Sequence, residues 1–155
     1  MLFGKRTTKQ ALERMFEQWN AVRGRRKLCL IGHNVTRFDM RVLYHEAKRV
    51  GLQTQLRDMN IMYLDTQDLA NDNRVWESIG IECPSSLSLG SLHETLLGEE
   101  IIGHHGALAD VTANSRVLRK LDSDLSLSFP DHLKSYNDLI SKLEKNGKRT
   151  HDEAG

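Results

Sequence analysis

The chain has 155 residues, of which 39% are hydrophobic, and a formal net charge of +1. This length fits one compact domain, and a near-neutral charge neither supports nor excludes binding to nucleic acid. No apolar run approaches the about 20 residues that span a bilayer, so no membrane partner is expected. The chain has two cysteines, which is too few for a secreted fold held by disulfide bonds. This favours an intracellular location, in the nucleus or the cytoplasm.

The N-terminal half of the sequence predicts two strands among helices. Apolar residues at helical spacing predict a first helix over Thr7–Arg23. Short apolar runs predict strands over Lys27–Ile31 and Asn60–Leu64, the first of them buried and parallel. A helix over Val35–Val50 separates the two strands, and a short helix is expected after the second strand.

The C-terminal half is predicted to be helical. The segment Asn71–Ser88 is expected to be irregular, with a single helical turn, before helices over Leu89–Leu97, Ala107–Leu121 and Ser128–Leu143. The polar residues 146–155 are expected to be a disordered tail.

Strands that alternate with helices indicate an α/β fold with a short parallel sheet packed by helices. The domain is expected to cover residues 7–145. Two strands make a thin sheet for a domain of this size, so some sheet-forming sequence is expected to be missing.

The first motif with chemical content is Gly-His-Asn-x-x-x-Phe-Asp, which follows the first predicted strand and ends at Asp39. In open α/β sheets, ligands bind where strands end and helices begin, and helix N-termini present free backbone donors to phosphate. Taken alone, Asp39 is more simply a first-turn residue that complements the helix dipole. Asn34 is equally an ordinary N-cap.

The second motif is His-x-Ala-Leu-x-Asp-Val, from His105 to Val111. Taken alone, Asp110 is more simply a surface residue, and a lone histidine is more often solvated than catalytic. His104 adds an ambiguity, because neighbouring residues on a helix point about 100° apart and only one can face a given site.

The two motifs in this order, with Asp65-Thr66 and a Leu-x-x-Leu helix between them, resemble the DEDDh family of 3′–5′ exonucleases. The resemblance covers roughly Ala11 to Leu121 and implies a ribonuclease H-like exonuclease fold. Such enzymes hydrolyse DNA or RNA from the 3′ end with two Mg²⁺ or Mn²⁺ ions. Several relatives act as dimers, so a homodimer is a possible assembly.

The resemblance also implies roles for individual residues. Asp39 and Asp110 would bind metal, and His105 would be the general base. His105 is preferred to His104 because its spacing to Asp110 matches the family pattern. Asn34 would orient the strand end or contact the terminal nucleotide, and Phe38 would be a core anchor.

The family's first motif, a strand-borne Asp-x-Glu, has no counterpart in this sequence. The chain is therefore expected to be an N-terminally truncated fragment with an incomplete two-metal site, inactive by itself. Two alternatives stay open: a catalytically inactive module that binds nucleic acid or protein, and a site completed by another chain. A zinc site of His33, His104 and His105 is a further alternative.

Overall fold

The computed structural model describes residues 6–125 and 129–152. Its α-helices are α1 (Thr8–Arg23), α2 (Asp39–Arg49), α3 (Gln53–Asp58), α4 (Thr66–Ala70), α5 (Asn73–Ile79), α6 (Leu89–Leu97), α7 (Ala107–Leu125) and α8 (Tyr136–Asp152). Its strands are β1 (Cys29–Gly32), β2 (Met62–Asp65) and β3 (Lys134–Ser135), and a 3-10 helix covers Phe129–His132.

The chain forms two compact units. The first unit consists of residues up to Leu30, Thr36–Tyr63 and the residues from Lys134 onward. The second unit consists of Ile31–Val35 and Leu64–Leu133. Each unit therefore draws on segments that are far apart in the sequence.

The strands form one open sheet in the order β1-β2-β3, so the fold is mixed α/β, as predicted. Met62 N–H donates to the Leu28 carbonyl at 2.9 Å. Strand β3 runs antiparallel to β2 and pairs Ser135 with Met62. The prediction of a purely parallel sheet missed this pair, because two residues are too short to show any alternation of apolar and polar side chains.

Strand β1 was predicted to be buried, and that prediction is wrong. Cys29 is exposed, and the Ile31 side chain is 46% exposed. The cause is the strand order, since β1 lies at one edge of the described sheet. An edge strand has a neighbour on one side only, so its apolar content does not imply burial.

Helix α1 begins with a capping box. Thr7 Oγ1 accepts the N–H of Gln10 at 3.2 Å, and Gln10 Oε1 accepts the N–H of Thr7 at 3.0 Å. Gly24 follows the last turn with a positive φ of 56°. The predicted helix is thus confirmed to within one residue. Among the apolar residues at helical spacing that predicted this helix, Phe16 is the one that is buried.

Phe38 was predicted to be a core anchor, and that prediction is wrong because its side chain is 62% exposed. Helix α2 begins at Asp39 rather than at Val35, so Phe38 is the residue that precedes the helix. The apolar spacing predicts that Phe38, Leu43, Ala47 and Val50 share the inward face of this helix, and of these Ala47 is buried. The buried residues of α2 are Met40, Tyr44 and Ala47.

Helix α8 makes several polar contacts within the first unit. Arg57 Nη2 lies 2.7 Å from Glu144 Oε2, and Asn137 Nδ2 donates to the Arg57 carbonyl at 3.2 Å. Tyr136 donates its hydroxyl to the Met40 carbonyl, and burial raises the pKa of that hydroxyl. The buried hydrophobic residues of this unit are Phe16, Met40, Tyr44, Ala47, Leu52, Leu56, Met59, Ile61, Tyr63, Tyr136, Leu139 and Ile140.

Helix α8 extends beyond the prediction. It was expected to span Ser128–Leu143 but covers Tyr136–Asp152, and Ser128 lies outside the described residues. Residues 146–152, expected to be disordered, are therefore helical; residues 153–155 lie outside the described part. The tail was predicted to be disordered because it is polar, and Gly147 does not end the helix, since one glycine costs a helix only about 1 kcal/mol relative to alanine.

The second unit has its own hydrophobic core, in which α4, α5, α6 and α7 pack together. The buried members are Leu69, Ala70, Val75, Trp76, Leu92, Leu96, Val117 and Leu121. Trp76 Nε1 donates to the Ala70 carbonyl at 2.7 Å, which satisfies the indole inside the core. The sequence predicted that Asn71–Ser88 is irregular with a single helical turn, and helix α5 occupies the first part of that segment.

No helix in the described ranges is both long and apolar enough to cross a bilayer.

Candidate metal centre

Asp110 lies in the first turn of helix α7, directly after the loop that leaves α6. Gly98 ends α6 in the left-handed region at φ 70°. The loop then turns at Gly103, whose carbonyl accepts the N–H of Gly106 at 3.0 Å. These glycines permit backbone conformations that other residues rarely adopt, and the resulting turn brings His104 and His105 back towards Asp110.

One oxygen of Asp110 accepts two hydrogen bonds from this loop. His104 Nδ1 lies 2.9 Å from Asp110 Oδ1, and the backbone N–H of His105 donates to the same oxygen at 3.2 Å. An ionised carboxylate only accepts, so Nδ1 of His104 carries the proton of their bond. The hydrogen bond from His104, reinforced by the N–H of His105, lowers the pKa of Asp110. The carboxylate is therefore charged at neutral pH.

The two imidazole rings stack on each other with their centroids 4.1 Å apart and their planes 25° from parallel. One ligand atom from each of His104, His105 and Asp110 fits within 4.8 Å of the others. The cluster is open to solvent, since His105 is exposed and the His104 and Asp110 side chains are 39% and 34% exposed. A dissolved ion can therefore reach it.

A second set of contacts anchors the loop before this cluster. The buried His93 lies with its Nδ1 2.7 Å from the Glu99 carbonyl oxygen. Arg116 of α7 lies with Nη1 3.0 Å from Glu99 Oε2. The start of the loop is thus tied to both α6 and α7, which limits where His104 and His105 can lie.

A cleft of about 450 Å³ opens between this loop and the first turns of α7. Ile102 and Leu108 line it and are 94% and 81% exposed, and Arg116 closes one side. The apolar spacing of α7 predicts that Leu108, Val111, Leu118 and Leu121 face inward. That prediction is confirmed for Leu121 and wrong for Leu108 and Val111, because the buried row of α7 is Ala113, Val117 and Leu121. The N-terminal turns of α7 therefore offer an apolar surface beside Asp110.

Asn34 lies at the end of β1 and is held there through its backbone. Its N–H donates to Asp65 Oδ1 at 2.8 Å, and the same oxygen accepts the N–H of Gln67 at 3.0 Å. Asp65 is buried and caps helix α4. This arrangement fixes the strand end. The resemblance implies a structural role for the Asp65-Thr66 pair, and the capping contact of Asp65 is such a role.

A polar network lies next to this capping contact. Thr66 Oγ1 donates to Asn114 Oδ1 at 2.7 Å, and His33 Nδ1 lies 3.0 Å from Thr66 Oγ1. Burial lowers the pKa of His33, with Asp65 acting in the opposite direction. His33 is therefore neutral at pH 7. It is absent from the His104, His105 and Asp110 cluster, so the structure does not group the three histidines of the zinc alternative.

Backbone strain coincides with two of the predicted site residues. Among described residues other than glycine, Asn34, Asn60 and His105 have positive φ, with 58°, 50° and 73°. Asparagine tolerates this region well, whereas histidine adopts it at a cost of about 1 kcal/mol or more. Strain that persists at an exposed histidine suggests that the loop conformation serves a function.

Asp39 is the first residue of α2 and is exposed. It belongs to the first unit, whereas Asn34, His105 and Asp110 belong to the second. The structure thus groups His105 with Asp110, through a backbone hydrogen bond. It also adds His104, which sequence reasoning had set aside. Residue spacing alone does not show which histidine ring lies close to a carboxylate six positions later in the chain.

The donor set determines which metals fit. Asp110 is the single hard-oxygen donor of the cluster, and Mg²⁺ can be held by one or two carboxylates together with waters and substrate phosphates. Asp110 thus fits as one ligand of a magnesium ion that also carries substrate. The two imidazoles are donors that Mg²⁺ avoids and that zinc, copper and nickel prefer.

The geometry defines a mixed α/β protein with an exposed histidine and carboxylate cluster at a helix start. No family model matches the chain. The chain is 30% identical, over 124 residues, to exonuclease DPD1 of Arabidopsis thaliana, which is described as chloroplastic/mitochondrial. The match covers 78% of this chain and 38% of that relative. The chain thus spans well under half the length of the exonuclease it resembles.

Proposed function

We propose that this chain is a domain of a metal-dependent 3′–5′ exonuclease that acts on DNA or RNA 3′ ends. The observation that best supports this proposal is the position of Asp110, which follows a histidine-containing loop in a chain that is similar to an exonuclease. A charged carboxylate on the surface and a neighbouring imidazole are the groups that phosphodiester hydrolysis needs.

Each residue has a defined task under this proposal. Asp110 would hold a divalent ion, and Asp39 would do so on the strength of its motif. The ion, when bound, neutralises charge at phosphorus and lowers the pKa of water. His105 would take the proton from that water, since imidazole is the side chain most often used as a general base and His105 is exposed beside Asp110.

His104 would act as a positioning residue. Its hydrogen bond fixes the orientation of Asp110, in the way that partners of metal ligands generally do. Asn34, held by Asp65, would keep the end of β1 in place for the terminal nucleotide. The cleft walls Ile102 and Leu108 would supply apolar contact to a base.

The test is recognition of the 3′ end. Fluorescence anisotropy would compare a single-stranded oligonucleotide ending in a 3′-hydroxyl with the same oligonucleotide carrying a 3′-phosphate. Ca²⁺ would be added to support binding without turnover. We expect tighter binding to the hydroxyl end, lost in Asp110→Ala. The matched control is Asp138→Ala, which removes an exposed first-turn aspartate from α8. Equal binding to the 3′-hydroxyl and 3′-phosphate oligonucleotides would contradict the proposal.

Cleavage separates the proposal from the inactive binding module. With two of the family's four acidic ligands, we expect no cleavage by this chain alone in Mg²⁺ or Mn²⁺. Appending strands that carry Asp-x-Glu should then produce cleavage that Asp110→Ala abolishes. Continued inactivity would favour the binding module. Cleavage by the unmodified chain would mean that another residue or a second copy, as in a homodimer, completes the site.

A further inference from the structure

We propose that His104, His105 and Asp110 form a binding site for one divalent transition-metal ion of the zinc class. The proposal concerns binding and does not require nuclease turnover; with zinc bound, His105 and Asp110 would be occupied and would not serve the roles proposed above. It differs from the magnesium expectation in both ligands and metal, because two of its three donors are imidazoles.

The distances favour a single shared ion. His104 Nδ1 and Asp110 Oδ1 are already 2.9 Å apart, and all three donors fit within 4.8 Å. Bonds of about 2.0–2.2 Å to tetrahedral zinc place neighbouring donors a little over 3 Å apart. The Asp110 and His104 atoms must separate slightly, and the His105 donor must move inward by about 1 Å or more.

Local freedom permits this adjustment. The stacked rings have nearly parallel planes, so their nitrogen lone pairs do not yet converge. Both histidines lie on a solvent-exposed loop, so a rotation of one ring meets little resistance. The fourth position of the ion would remain open to water, as it does at zinc sites with three protein ligands.

The electrostatics also favour a cation. Asp110 Oδ1 accepts two hydrogen bonds, as an ionised carboxylate does, so it brings negative charge to the place where the ion would lie. For the ion to bind Nδ1 of a neutral His104, the ring proton would move to Nε2, so that the imidazole stays neutral and a bond to the ion replaces its hydrogen bond to Asp110.

The choice of metal follows from donor chemistry. Imidazole nitrogen suits zinc, copper and nickel, whereas magnesium requires near-octahedral oxygen ligands. We therefore expect Zn²⁺ to bind in the presence of a large excess of Mg²⁺.

The experiment is isothermal titration of the full chain with ZnCl₂ in buffer containing millimolar Mg²⁺. The protein would carry Cys29→Ser and Cys83→Ser, because both cysteines are free and exposed and thiolates are zinc ligands in general. We expect one zinc per chain. Affinity should fall by more than about 10-fold in His104→Ala, since even partners of ligands contribute 10–100-fold. His45→Ala, which removes an exposed histidine from α2, should leave affinity unchanged.

A spectroscopic readout keeps the test independent of folding in the variants. In the histidine ring NMR spectrum of the thiol-free chain, Zn²⁺ should shift the resonances of His104 and His105 and spare those of His45 and His93. Stoichiometric zinc binding with these shifts supports the site. Absence of zinc binding, or shifts confined to other histidines, would overturn it.

Discussion

His104 Nδ1 and Asp110 Oδ1 lie 2.9 Å apart across the turn between α6 and α7. This contact joins a loop to the first turn of a helix, where a negative charge is favoured by the helix dipole. It makes His104, rather than His105, the ring that contacts the carboxylate. The assignment of His105 as general base stays a prediction.

The contact predicts a pH-dependent behaviour of Asp110. Because its pKa is lowered in the folded chain, Asp110 contributes stability above about pH 3.9, the usual value for an unfolded aspartate. That contribution is lost as the pH falls through the lower folded value. In His104→Ala, NMR titration should show the Asp110 pKa moving up towards its ordinary value. The same titration in His45→Ala should match the wild type, and an unchanged Asp110 pKa in His104→Ala would refute the contact.

The positive φ of His105 predicts that its replacement by glycine will stabilise the fold. His105→Gly removes the strain and retains the backbone N–H that Asp110 accepts. We expect a gain of about 0.5–1 kcal/mol in the free energy of unfolding, measured by urea denaturation. Asn60→Gly is the control and should give a smaller gain, because asparagine already tolerates this conformation. A loss of stability in His105→Gly would show that the ring makes a net stabilising contact.

Gly32 ends strand β1 directly before the His-Asn motif, and it has no room for a side chain. A Cβ atom there would meet Val35 Cγ1 at 2.2 Å. Gly32→Ala should therefore destabilise the fold by about 1–3 kcal/mol, the usual cost of overpacking. Adding Val35→Ala should recover part of that loss, because it removes the clashing methyl group. Thermal unfolding of the two single variants and the double variant measures this coupling. If the stability changes of the two single variants simply add in the double variant, there is no clash.

Gly147 lies inside helix α8 with open space where a Cβ would be. Gly147→Ala should raise the free energy of unfolding by about 0.5–1 kcal/mol through chain entropy and helix propensity. The matched control is Gly98→Ala, which should destabilise because Gly98 has φ 70°. Denaturation of both variants would distinguish a helical Gly147 from the predicted disordered tail, for which the alanine variant would have no effect.

The parts of the fold that were predictable from sequence are those with local signals. The capping-box spacing of Thr7 and Gln10 predicts the start of α1, and the two capping hydrogen bonds are present. Helix α5 carried a comparable signal that was overlooked. Asp72 accepts the N–H of Arg74 at 3.0 Å, and Gly80 ends the helix in the left-handed region. A polar cap before an apolar stretch and a glycine after it define a helix even when the helix is short.

The parts that were not predictable depend on tertiary context. The exposure of Phe38 and Leu108 follows from where their helices begin and what covers them, and neither is encoded in apolar spacing. In the candidate site, the motif placed His105 and Asp110 in one region, and the structure groups them. The ring that reaches the carboxylate is set by the turn at Gly103, and that turn cannot be derived from residue spacing.

The most direct test of the account is 3′-end binding measured on this chain and on Asp110→Ala, with Asp138→Ala beside them. The account predicts that the chain prefers a 3′-hydroxyl end to a 3′-phosphate end in the presence of divalent metal, and that the preference disappears only in Asp110→Ala. Equal binding to both ends, or a preference that survives in Asp110→Ala, would contradict an exonuclease site centred on Asp110.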